Sequence, residues 1–394
     1  MNTRDIFIVA RYEALVISRG IVFRLLALLA LLGITCMQVV LQGSGMAYSW
    51  TMVATSSAMP LVNAYLFNIV QAFMIVFLVT DFNIREKRRG FLECIHARPI
   101  SNANYFFGKV TAILWIFFCF SAVSVVLCSA INLFASEAPW NPLIYLFYFL
   151  TLTLPSLLFF TGLSFFVTLL SRSRFLAQVI LLVVFYFTVT RLPGICHGCF
   201  DFMGSSLPNL FSEITGHSGW SDYLFQRFSF LLVGSGLICL SVGLTRRLPN
   251  RVRDLFCWRR VGILVIVAGC LCTCGRLYSY WHTDAMREAY RCSYDRYWND
   301  YTCRVREHRI RFHREADRLT SVSDMLLYNP GDVGLPQVVL FLNPGLGVSC
   351  VREGGRELKF RREHQVLLIE RELGRKDSTR LEITYSGRID ESYC

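Results

Sequence analysis

Charge is what this chain is short of. Only 17% of its 394 residues are Asp, Glu, Lys or Arg, against 54% hydrophobic residues and 32 phenylalanines. No soluble core of this length hides so much apolar surface, so the bilayer has to act as the solvent. Acidic residues are the scarcer sign, 28 against 40 Lys and Arg, for a net charge of +12. That surplus could point to nucleic acid, but the basic residues gather at the ends of hydrophobic runs and in the C-terminal part. Membrane topology accounts for many of them, and nucleic-acid binding is not expected. No short apolar stretch ending in a small-residue cleavage site precedes the first run, so that run is expected to be an uncleaved anchor.

What is present is a series of apolar windows close to the roughly 20 residues a spanning helix needs. They run near Ile21–Leu41, Ala58–Thr80, Val110–Phe134, Leu143–Leu170, Phe175–Leu192, Phe228–Leu244 and Val261–Leu277. The expected fold class is therefore a polytopic α-helical membrane protein of about seven spans, with a β-rich domain after them. The basic residues sort by loop. Arg4, Arg11 and Arg19, then Arg85, Lys87, Arg88, Arg89, Arg98 and Lys109, then Arg172 and Arg174, then the run Arg246 to Arg260 fall on one side. Gly43–Ser57, Ala135–Pro142 and Gly194–Phe225 hold neither Lys nor Arg. Short basic loops stay in the cytoplasm, which puts the N-terminus inside and the C-terminal segment outside a cell membrane.

Four segments flank these windows. Residues 1–20 read as an interfacial helix over Thr3–Arg19 on the cytoplasmic surface, and residues 246–260 as a basic cytoplasmic loop. Residues 278–320, rich in Arg, Glu, Asp and Tyr with few breakers, read as a solvated helical stalk. Cys292 and Cys303 fall on one side of it. From 321 to 394 short runs, Val338–Leu342, Leu358–Phe360, Gln365–Glu370 and Leu381–Tyr385, alternate with Asn343-Pro344-Gly345, Gly354-Gly355 and Lys376-Asp377. That is the pattern of a small antiparallel β-domain.

The stretch Asp81–Lys109 is the longest polar segment between two windows. Glu86 and Glu93 stand among Arg85, Lys87, Arg88 and Arg89 on a short expected helix, Arg85–His96, ended by Arg98-Pro99. By charge alone this is a positive-inside loop. It also resembles the first cytoplasmic loop of type-2 ABC exporter permeases. The resemblance rests on Asp81, Arg85-Glu86, Gly90, Glu93, Arg98-Pro99-Ile100-Ser101 and Gly108-Lys109. It departs from the family at Phe91, at Cys94-Ile95-His96 and at Asn102.

The resemblance implies a coupling helix that docks onto a separate ATPase subunit, with Glu86, Arg88, Glu93, Arg98 and Pro99 as contacts. It also implies a six-span permease domain over residues 21–245 and a second permease copy or a homologous permease as partner. For the loop 194–225 it implies an outer gate, with Phe200, Leu207 and Phe211 as its apolar candidates; composition alone is equally served by an ordinary extracytoplasmic loop. No G-x-x-x-x-G-K-[S/T] occurs in the chain, so ATP and Mg are expected on the partner ATPase and no cofactor here.

The C-terminal runs Phe341-Leu342-Asn343-Pro344, Leu358–Phe360 and Thr384-Tyr385-Ser386-Gly387 resemble the β-rich N-terminal domain of zinc aminopeptidases. No H-E-x-x-H is present, so no catalytic residue and no metal ligand set are assigned. Of the 15 cysteines, those in the apolar windows act as small apolar residues. Cys196 and Cys199 in Cys196-His197-Gly198-Cys199 are the candidate disulfide; a metal site completed by His217 and Asp201 is the less favoured reading.

The functional expectation is the permease subunit of an ATP-driven exporter in a bacterial inner membrane. A lipid-embedded anchor displaying its β-domain to a partner, and a fragment of a membrane aminopeptidase-like protein, are the alternatives.

Overall fold

The computed structural model describes residues 3–42, 55–81, 100–136, 138–171, 173–205, 210–213, 216–217, 219–245, 252–298 and 303–390. The chain divides into two compact units, Met1–Leu277 and Tyr278–Cys394.

The first unit is helical. Its elements are α1 (Thr3–Arg19), α2 (Ile21–Gln42), α3 (Ala58–Thr80), α4 (Asn102–Ala135), α5 (Pro142–Leu170), α6 (Arg174–Thr190), α7 (Trp220–Leu244) and the first part of α8 (Val252–Tyr297). Among the described residues six helices, α2, α3, α4, α5, α7 and α8, are long and apolar enough to cross a membrane. The expected fifth span is α6, an apolar helix of 17 residues. At 1.5 Å per residue it measures about 26 Å, short of a hydrocarbon core of about 30 Å.

Local chemistry sets several boundaries. Ser101 has an extended backbone and its side chain accepts the Asn104 backbone N–H at 3.2 Å, starting α4; Ser173 does the same for α6. Helix α5 contains a π turn over Phe149–Thr153, immediately before Pro155. Proline lacks an N–H and its ring clashes with the carbonyl four residues back, and the widened turn absorbs both. Phe67, Phe106, Phe117, Phe160 and Phe165 fill the bundle core. A Cβ on Gly162 of α5 would lie 2.5 Å from the Gly234 carbonyl oxygen of α7, so the two backbones touch only because both residues are glycine. Helix α2 is among the least covered: Leu25, Leu28, Leu29 and Leu32 are exposed, as a lipid-facing helix requires.

The second unit is a layered β-structure. A five-stranded antiparallel sheet has the order β3 (Arg304–Glu315), β4 (Arg318–Tyr328), β10 (Ser378–Gly387), β6 (Leu346–Glu353), β7 (Arg356–Glu357). A three-stranded sheet has the order β5 (Val338–Phe341), β9 (Val366–Ile369), β8 (Phe360–Glu363). Leu327, Val351, Leu381 and Ile383 of the first meet Val338, Leu340, Leu367 and Ile369 of the second in one core. The last turns of α8 cover the outer face of the small sheet, where the Tyr294 ring lies tilted against Phe341 at 5.3 Å and Tyr297 donates to Glu363 at 2.9 Å. Gly354 and Gly355 both have positive φ, the backbone that closes the β6–β7 hairpin.

The helical stalk expected over 278–320 is corrected here. Helix α8 ends at Tyr297, and Arg304–Glu315 is a strand. Its alternation, with Ile310 and Phe312 between Arg309, Arg311 and His313, is a period of two hidden inside a high charge density. Cys303 is buried in the β-core instead of standing on a stalk, and the β-domain begins before residue 321. The expected strand Leu358–Phe360 is a crossing point, with β7 in one sheet before it and β8 in the other after it.

Candidate functional site

Two polar clusters stand out in the helical unit. The first gathers helix ends. Helix α1 lies across the start of α4 and buries Ala10, Glu13 and Ile17. The crossing is tight because Gly108 has no side chain: a Cβ there would lie 2.6 Å from Val9 Cβ and 3.0 Å from the Ile6 carbonyl oxygen. The next residue, Lys109, is only 2% exposed; its Nζ sits 3.8 Å from Glu13 Oε1 and 4.1 Å from the centre of the Tyr105 ring. Asn104 Nδ2 donates to Asp5 Oδ2 at 3.3 Å, adding a second polar tie between α1 and α4. Asn102 donates to the Thr245 carbonyl at the end of α7 at 2.8 Å. Asp81 after α3 pairs with Arg174 of α6 at 3.0 Å.

A buried ammonium beside a carboxylate is costly to separate, so this pair adds to the hold that the close approach at Gly108 gives the α1–α4 crossing. Ser101, Gly108 and Lys109 belong to the run that carries the permease resemblance, and each has a physical role here: helix cap, close approach and ion pair. Glu86, Arg88, Glu93, Arg98 and Pro99 lie outside the described residues.

The second cluster lies under the loop after α6. Two 3₁₀ turns, Leu192–Gly194 and Cys196–Gly198, lead to Asp201, whose carboxylate caps the Met203 and Gly204 N–H groups at 3.0 and 2.8 Å and takes the Ser205 hydroxyl. Asp201 is 0% exposed and Arg227 of α7 only 2%. Arg227 donates to the Asp201 and Phe202 carbonyls and to the Gln226 side chain. Asn68 of α3 donates to the Met203 carbonyl at 3.2 Å, Ser156 of α5 to the Phe202 carbonyl at 2.8 Å, and Gln71 to the Thr153 carbonyl inside the π turn at 3.4 Å. Phe202 stacks on Phe159 at 4.2 Å and meets Phe230 edge-on at 4.9 Å. The loop is thus sewn into the helical core by its own carbonyls, which is how buried irregular backbone keeps its polar groups satisfied.

The sequence-predicted residues fall around this cluster. Phe200 is half-buried on the loop. Phe211 pairs with His217 in the short hairpin β1 (Phe211–Ser212) and β2 (Gly216–His217), and its carbonyl accepts from Ser57 at 2.8 Å. Leu207 lies outside the described residues. Cys196 and Cys199 are free thiols in the structure. Burial raises the Cys199 thiol's pKa, opposite to an activated nucleophile. Asp201 is turned to its own loop's N–H groups, and among the described residues no three His, Cys, Asp or Glu side chains converge as a metal site.

Arg227, Asn68, Gln71 and Met203 were not singled out from sequence. Arg227 is the lone Lys or Arg between Arg191 and Arg246, and Asn68 and Gln71 are polar three apart in an apolar span; both are readable signals of a buried interaction. Neither a protein-family model nor a curated protein sequence matches the chain.

Proposed function

We propose that this chain is the membrane-spanning permease subunit of an ATP-driven ABC exporter, working by alternating access with a separate ATPase subunit. The observation that carries the reading is the run Asp81 to Lys109, with its Arg98-Pro99-Ile100-Ser101 and Gly108-Lys109 pairs. The tight α1–α4 joint adds support, because a push on the loop before Ser101 would be passed to α4 and α1 together through a buried ion pair. On this reading the N-terminus and the Asp81–Lys109 loop face the cytoplasm, the second unit is extracytoplasmic, and the loop stapled by Arg227 closes the outer end of the path.

The test is affinity purification of the tagged chain in mild detergent, with mass spectrometry and an ATPase assay, for wild type and for a Glu93→Arg, Arg98→Glu variant. Recovery of a Walker-motif ATPase by wild type and its loss in the variant is the expected result. A well-folded wild type that brings down no ATPase overturns the reading and leaves the display anchor, which the second unit's long open strand edge favours.

A further inference from the structure

Strand β3 is an open edge of unusual length. Its twelve residues are all exposed, and among the described residues it pairs with β4 on one side only, while the opposite edge of the same sheet, β7, has two residues. At about 3.3 Å per residue it offers some 40 Å of backbone N–H and C=O groups for pairing. Its two faces differ. Ile310 and Phe312 stand opposite Ser323 and Ser321 on the face that β4 turns to the core, yet they remain 51% and 69% exposed. Arg309 and Arg311 stand on the other face, opposite Asp324 and Val322.

Two acids on that second face are already engaged. Arg380 holds Asp324 through two hydrogen bonds of 2.9 and 3.1 Å and lies 3.8 Å from Glu307. Behind Arg380, which holds the Asp324 carboxyl below its usual range, the charges of Arg309 and Arg311 act on the same carboxylate, and among the described residues neither comes within ion-pair distance of an acid. A second copy of this strand would bring five arginines against five, which disfavours self-pairing.

We infer that β3 is a docking edge for an extended acidic polypeptide segment in which carboxylate and apolar side chains alternate. Added as a further strand, such a segment turns its apolar residues to Ile310 and Phe312, and its carboxylates to Arg309 and Arg311. Its backbone pairs along the open edge.

The test uses the full chain in nanodiscs of zwitterionic lipid and a fluorescent alternating Glu-Val peptide of about ten residues, followed by anisotropy. Wild type is expected to bind it, and to lose roughly tenfold in affinity as Arg309→Gln, Arg311→Gln, with a further loss in Phe312→Ser. The same peptide N-methylated at alternate residues leaves the protein untouched and is expected not to bind, because pairing needs its N–H groups. Equal binding of the two peptides means ionic adsorption and overturns the proposal, as does no binding of either. Binding of dihexanoyl phosphatidylglycerol without peptide binding assigns the surface to lipid headgroups and overturns it too.

Discussion

Arg227 shows what one buried cation does in a helical membrane unit. Its guanidinium satisfies the carbonyls of Asp201 and Phe202, while the Asp201 carboxylate satisfies the N–H groups that follow. Gly204, at φ +82, sits where a Cβ would meet Leu152 and the Arg227 guanidinium, so the turn requires glycine for both space and backbone. Replacing Arg227 with Leu strands two carbonyls at a cost of about 3–5 kcal/mol. Thermal unfolding in detergent is expected to show that loss, with Arg227→Lys recovering part of it. Unchanged melting in Arg227→Leu would mean the loop is not held by this residue.

Elements meet where side chains are small or charges are paired. Gly108→Leu drives a side chain into Val9 and the Ile6 carbonyl, and is expected to destabilise the α1–α4 crossing by about 1–3 kcal/mol. Adding Val9→Gly in the same chain should return part of that, and a double-mutant cycle with no coupling would place the strain elsewhere. In the second unit, the Thr379 hydroxyl at 2.6 Å and then Arg371 at 2.9 Å hold the Glu353 carboxyl below the usual carboxylate range. A lowered folded pKa stabilises above the unfolded value, about pH 4.3, and the benefit is lost as pH falls through the folded value. Protection factors of amides within residues 338–390, normalised to the intrinsic exchange rate at each pH, are expected to fall in that acid window, and Thr379→Val should shrink the change. An identical acid response in the variant would remove Glu353 from its cause.

At the scale of the whole molecule, a lipid-suited helical unit and a water-suited β-unit follow one another in a single chain. The β-unit closes its core between two sheets and under the end of α8, and leaves one edge open. On the transport reading proposed above, the path would need the first unit alone, and the open edge calls for a role of its own. The expected acidic peptide partner and the expected ATPase partner are separable by experiment, because Arg309 and Arg311 belong to one unit and the Asp81–Lys109 loop to the other.

The sequence by itself determined the helical spans, because a hydrophobic run of some 20 residues has few other ways to satisfy its backbone. Thr3–Arg19 as a separate helix and Ala58–Thr80 as a span were legible to the residue, and strand runs such as Val366–Ile369 were legible from their bounding turns. Strands β3, β4 and β6 were not, since their alternation is written in Arg, Ser and Glu, whose burial depends on what the neighbouring strand supplies. The π turn of α5 was hidden for the same kind of reason: Pro155 announces a misfit, but only the packed helix shows how it is absorbed. Tertiary structure alone decided that Arg227 joins Asp201, Phe202 and Gln226, and that Lys109 meets Glu13 ninety-six positions earlier in the chain. Pairings across such distances arise from helix crossings fixed by glycine and phenylalanine, which no local pattern records.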